Sequence, residues 1–193
     1  MVSDVVSLII FLRRSIGLII TPYATMRAIS MEKGWKDTIW IGILAVFYFL
    51  ITNSVRFWIN GFLGAVGLFM GSVIFFSLLP AGGDKRERFM RMIKTWGYTL
   101  LPTLIWFYST LIFYFIVPPP RTTSILGQSF SIFYIAFSGS LLVWKIILIY
   151  LSIRFSLRVH LYRVIYYFLI YLTLSIPLWI LLYSLGVSRI PFV

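Results

Sequence analysis

Long apolar runs, each about the length a helix needs to cross a hydrocarbon core about 30 Å thick, constrain this chain more than any other feature. They cover residues 38–58, 62–80, 96–117, 131–151 and 164–187. Inside a bilayer no water satisfies the backbone, so each crossing must close its own hydrogen bonds as a helix. The expected fold is all-α, a polytopic bundle of about five spans over residues 38–187. An N-terminal segment, residues 1–37, precedes it and a short tail, residues 188–193, follows. With 61% of 193 residues hydrophobic and 11% charged, the chain has no length left for a soluble domain.

The N-terminal segment carries Arg13 and Arg14 in the middle of an apolar stretch, which argues against a full crossing there. On a helical wheel Val5, Leu8, Ile9, Leu12, Ile16, Ile19 and Ile20 form one stripe, with Ser3, Asp4, Ser7, Arg14 and Ser15 opposite. This pattern predicts an amphipathic helix lying in the interface, with a sixth span as the alternative. No basic n-region or small-residue cleavage site is present, so Met1 is expected to be the mature start. Trp35, Trp40 and Trp58 bracket the first run like interfacial anchors.

Charge sets the orientation independently. Arg13, Arg14, Arg27, Lys33 and Lys36 precede the first run; Lys85, Arg86, Arg88, Arg91 and Lys94 lie between the second and third; Arg154, Arg158 and Arg163 lie between the fourth and fifth. The intervening segments hold only Arg56, Arg121 and Arg189. The positive-inside rule then predicts a cytoplasmic N-terminus and an external C-terminus. The net charge of +12 follows from the same bias and calls for no nucleic acid.

Several chemistries are disfavoured. There is no cysteine, hence no disulfide or thiolate site. All five acidic residues, Asp4, Glu32, Asp37, Asp84 and Glu87, fall outside the apolar runs, so no carboxylate pair or proton relay is expected at membrane depth. His160 stands without a second histidine near it in sequence, and no metal, cofactor or catalytic residue is assigned. From Ile153 to Leu161 apolar and polar residues alternate, and this stretch is read as a short interfacial connection rather than a strand.

Four features remain as candidates. Phe89, Met92, Ile93 and Trp96 recur at helical spacing while Lys85, Arg86, Arg88, Arg91 and Lys94 take the remaining faces, a basic amphipathic helix suited to anionic headgroups or an acidic protein surface. Gly64, Gly67 and Gly71 keep one face of the second span small, allowing a close helix approach from this chain or another, with internal packing the expectation in a five-helix chain. Asn53 suits an interhelical hydrogen bond or a permeation path. Lys145 lies about 9 Å inside the expected end of span four; it either snorkels to the headgroups or binds something at depth. Pro177 should kink span five.

Gly82-Gly83, Arg88-Phe89, Gly97-Tyr98 and Leu101-Pro102, read in order as a Gly-Gly turn, a basic-aromatic helix and a Gly-Tyr-x-x-Leu-Pro entry into span three, resemble the Yip domain family. Thr21-Pro22, Met26-Arg27 and Trp144 add weaker matches. The resemblance implies five spans, a cytoplasmic N-terminus and no catalytic site. Eukaryotic members bind small GTPases and usually carry a longer N-terminal region; this chain is more similar to the prokaryotic members, and the resemblance thereby implies a prokaryotic cell membrane. The expected function is a non-enzymatic membrane scaffold or adaptor, engaging anionic lipid and a protein partner or larger membrane complex through its basic cytoplasmic face. The alternative is a small transporter or channel subunit lined by Asn53, Lys145 and the Pro177 kink.

Overall fold

The computed structural model describes residues 2–32, 34, 36–53, 59–80, 84–116 and 124–184. Trp35, Trp58, the Gly82-Gly83 turn, the triple proline at 118–120, Arg56, Arg121, Arg189 and the tail at 188–193 lie outside these residues. Eight helices account for nearly all of the described chain: α1 Val2–Ile20, α2 Pro22–Met31, α3 Lys36–Asn53, α4 Ile59–Leu78, α5 Lys85–Tyr98, α6 Leu101–Ile116, α7 Ile125–Leu157 and α8 Leu161–Ser184. No strand occurs among the described residues. The chain is thus all-α.

Three helical units are long and apolar enough to cross a membrane: Lys85–Ile116, Ile125–Leu157 and Leu161–Leu178. The pair Pro22–Met31 and Lys36–Ile51 qualifies as a fourth if taken as one span, and Gly64–Leu78 is a shorter apolar helix. Pro177 lies inside α8, which continues to Ser184.

Packing is concentrated at one end of the molecule. One core gathers Phe11 and Leu18 of α1, Met26 and Ile29 of α2, Ile41 of α3, Tyr98, Leu101 and Leu104 at the α5–α6 junction, and Leu148 and Leu151 of α7. A second joins Val73 and Phe76 of α4, Met92 and Trp96 of α5, Ile149, Ile153 and Leu157 of α7, and Val164 and Tyr167 of α8. Both cores therefore rest on α5 and the last turns of α7. Away from that end the helices turn large apolar side chains outward, such as Phe115 and Ile116 of α6, Ile132 and Ile135 of α7, and Ile176 and Ile180 of α8. Outward apolar side chains are stable where the solvent is hydrocarbon.

The α5–α6 junction follows from its sequence. Pro102 has no N–H to give to Tyr98, and the chain bridges the gap with Thr99 N–H to Trp96 O at 3.1 Å and Leu100 N–H to Gly97 O at 3.0 Å. The ladder resumes at Leu104 N–H to Leu100 O, 2.9 Å. At Gly97, α3 passes so close that an added Cβ would stand 2.7 Å from Thr38 Cγ2, leaving room for glycine alone.

Two expectations are corrected. The alternating stretch from Ile153 is not a connection as far as Leu157; it is the end of α7, which stops only when Arg158 adopts a left-handed conformation, φ 53°. In the N-terminal helix α1, Ile9, Leu12, Ile16 and Ile19 face outward while Ser7 and Arg14 turn into the protein. The close helix approach expected at Gly67 and Gly71 is not made within the chain: a Cβ at either would meet nothing within 4 Å. With Gly64 they line a cleft of about 390 Å³ between α4 and α8, which Ser72 Oγ and Tyr171 OH bridge at 3.2 Å.

Candidate functional site: a buried polar layer and a cleft at Lys145

The packed end is held by charge. Arg14 of α1 bonds Asp37 of α3 and Glu32 beyond α2 through separate guanidinium nitrogens. Asp37 is buried, and the same oxygen, Oδ2, accepts the Tyr98 hydroxyl of α5 at 2.6 Å. Burial alone would lower the Arg14 pKa, but its hydrogen bond to Glu32 and the charge of Asp37 reverse this and raise it above its ordinary range.

Lys94 of α5 enters from the other side and donates to Glu32 O and, at 3.4 Å, to Ile29 O. These carbonyls belong to the end of α2, where the last turn leaves acceptors without partners and the helix dipole favours a cation. Two indoles tie α1 down further: Trp40 Nε1 donates to Ser7 Oγ at 3.0 Å and Trp144 Nε1 to Leu18 O at 3.2 Å. Trp40, expected as an interfacial anchor, gives its N–H to the protein instead.

The α5–α7 contact is hydroxyl-rich. Thr95 Oγ1 lies 2.6 Å from Ser156 Oγ, accepts from Ser152 Oγ at 2.8 Å and donates to Arg91 O at 3.0 Å, all in the interior. Arg91 donates Nε–H to Ser156 O at 3.3 Å and pairs with Glu87 one turn back. Arg88 donates to Leu79 O at 2.8 Å, tying α5 to the end of α4.

These contacts correct the reading of α5 as a displayed basic face. Arg88, Arg91 and Lys94 are buried, each no more than 5% exposed, because α5 is central and these cations serve backbone carbonyls at the ends of α2, α4 and α7. Phe89 packs against the second core. Only Lys85 and Arg86, in the first turn of α5, remain exposed.

Lys145 lies elsewhere. Because α7 runs on to Leu157, Lys145 is twelve residues, or about 18 Å, from the helix end. Its ammonium turns to α6 and donates to Thr103 Oγ1 at 2.8 Å. The two residues help line a cleft of about 210 Å³ with Pro102, Trp106, Ser138, Gly139, Leu141 and Leu142. Trp106 Nε1 donates to Ser138 Oγ across it at 3.0 Å. Pro177 is exposed on α8 and does not join this lining; the side chain of Asn53 lies outside the described residues.

Sequence reasoning missed Tyr98, Thr95, Ser152 and Ser156 as parts of the polar layer. Their signal was the recurrence of small hydroxyls at 152 and 156, one helical turn apart, opposite Thr95. Among the described residues no group of three or more His, Cys, Asp or Glu could hold a metal ion. No family model matches the chain, nor does any curated protein or solved structure.

Proposed function

We propose that this chain is a non-enzymatic integral membrane scaffold of the Yip-domain type, with five spans, a cytoplasmic N-terminus and an external C-terminus. Its packed end faces the cytoplasm and engages anionic headgroups and a protein partner. The observation that carries this reading is the use made of charge. The ionisable side chains at this end are invested in helix-to-helix bonds, namely Arg14 with Asp37 and Glu32, Lys94 with the end of α2, and Arg91 with the Ser156 carbonyl of α7. Such a layer makes a rigid platform, and rigid elements present a binding surface with little ordering cost.

At the edge of the platform Lys85 and Arg86 stand exposed, and Arg158 is 65% exposed. Each cation near an anionic surface contributes about 1 kcal/mol, so this edge suits lipid headgroups or an acidic partner. The five-span count adds α3 and α4 to the three long units and places the three basic segments on one side.

Reversing both charges, Lys85→Glu with Arg86→Glu, in the full-length protein tests the reading. Both side chains are exposed, so insertion and stability should be unchanged while co-purifying protein or retention on anionic vesicles is lost. Unchanged co-purification and unchanged vesicle retention would refute it. The chain has no cysteine, so Ser124→Cys and His160→Cys, both at exposed positions, report topology directly. The expected outcome is labelling of position 160 from the cytoplasm and of position 124 from outside.

A further inference from the structure

The cleft between α6 and α7 has no part in the platform described above. On α7, Ser138, Leu142 and Lys145 recur at i, i+4 and i+7 and so share a face, with Gly139 beside them; on α6, Thr103 and Trp106 at i and i+3 stand opposite. The lining is mostly apolar and opens laterally, where Gly139 and Leu142 are exposed.

The polar groups within it converge as donors. Thr103 Oγ1 accepts from Lys145 and Ser138 Oγ accepts from Trp106 Nε1. A hydroxyl that has accepted a hydrogen bond still has its own proton to give, so Thr103 and Ser138 can each donate to a third group. With the lysine ammonium, the wall offers two hydroxyl protons and a positive charge, and α6 and α7 contribute no carboxylate by sequence. Donors gathered around a cation select an oxyanion, and charge-assisted hydrogen bonds of this kind are about twice as strong as neutral ones. A lateral opening flanked by outward Leu142, Val143 and Ile146 suits an acyl chain.

We infer that the Lys145 cleft is a binding site for a membrane amphiphile whose acyl chain ends in an oxyanion, entering sideways from the bilayer. The anion rests against Lys145, Thr103 and Ser138, and the chain runs along the outer face of α7. A fatty-acid carboxylate and a phospholipid phosphate share this chemistry.

The test is equilibrium binding of radiolabelled oleate, oleate methyl ester and dioleoyl phosphatidic acid to the full-length protein in phosphatidylcholine nanodiscs. Saturable binding of either acid, with the ester at least about tenfold weaker, is expected from the loss of one charged hydrogen bond. Preference for oleate identifies the free carboxylate as the source, and preference for phosphatidic acid the phospholipid. Lys145→Gln should weaken binding by about tenfold or more, and Lys145→Arg should restore much of it. Gly139→Leu should abolish binding by filling the cleft; a Cβ there meets nothing within 4 Å, so the new side chain starts in open space, and the variant decides the matter alone if Lys145→Gln does not fold. Ester binding equal to the acid, no saturable binding, or binding indifferent to Gly139→Leu would overturn the inference. The scaffold reading is read at Lys85 and Arg86 and stands or falls separately.

Discussion

Replacing Asp37 with leucine should be among the most damaging single changes in the molecule. Asp37 is 6% exposed and its Oδ2 accepts from both Arg14 and Tyr98. Its removal leaves a guanidinium whose side chain is only 12% exposed and a buried phenol without their acceptor. Breaking a buried pair from one side costs about 3–5 kcal/mol, and a stranded hydroxyl about 1–3 kcal/mol alone. Arg14 keeps Glu32, so the expected loss is about 3–5 kcal/mol rather than the sum. Glu32→Gln should cost less than about 1 kcal/mol, because Glu32 is 54% exposed and its pair is screened. The triple variant Arg14→Met, Asp37→Leu, Tyr98→Phe replaces the buried polar groups with apolar ones and should recover most of the loss. Steric trapping of reversible unfolding in bicelles measures each value. If Asp37→Leu lies within about 1 kcal/mol of wild type, or the triple variant is no better than the single one, the argument that this layer is tightly coupled fails.

Gly97→Ala should cost about 1–3 kcal/mol by driving Thr38 Cγ2 off its contact, and Thr38→Ser, which lacks that methyl, should restore stability in the same unfolding assay. Thr95→Val should cost about 1–3 kcal/mol, since Ser152 and Ser156 lose their shared partner in the interior, and amide exchange at the end of α7 should accelerate. Arg158→Gly should stabilise by up to about 1 kcal/mol, because only glycine takes the left-handed conformation freely; a loss of melting temperature would refute this.

The helices themselves were legible because apolar length reports helix in a bilayer whatever the packing, and residues of the three basic segments do pack against one another, as Lys94 does on the end of α2 and Arg91 on Ser156. Facing was not legible. The wheel of α1 separates Ile9 and Ile16 from Ser7 and Arg14, but amphipathicity says only that two faces differ; Arg14 turns inward because Asp37 and Glu32 lie there, 23 and 18 residues away in sequence. The same ambiguity hid α5, whose apolar stripe packs into the second core and whose Arg88, Arg91 and Lys94 are buried because neighbours surround it. The stretch from Ile153 misled through arithmetic: Ile153 and Leu157 alternate with polar residues yet are also four apart, a spacing that serves a helix equally well. The depth of Lys145, about 18 Å from the helix end, depended on α7 continuing past residue 151, which hydropathy does not reveal once Ser152, Arg154 and Ser156 appear.

The bond from Arg91 to Ser156 spans 65 residues, and that separation bears on synthesis. At about 5–20 residues per second, α5 leaves the ribosome roughly 3–13 s before the acceptor it needs on α7 exists. During that interval Arg91 keeps Glu87 and Thr95 keeps the carbonyl of Arg91, but the Arg91 Nε–H and the Thr95 hydroxyl oxygen lack the partners α7 will bring, and burying them unmatched would be costly. The newly made α5 is therefore held at the aqueous surface, and its docking between α4 and α7 becomes a late, post-insertional event timed by the arrival of residues 152–156. Nascent chains stalled before Ser152 should leave a cysteine at position 95 open to aqueous label, and chains stalled well beyond Leu157 should close it.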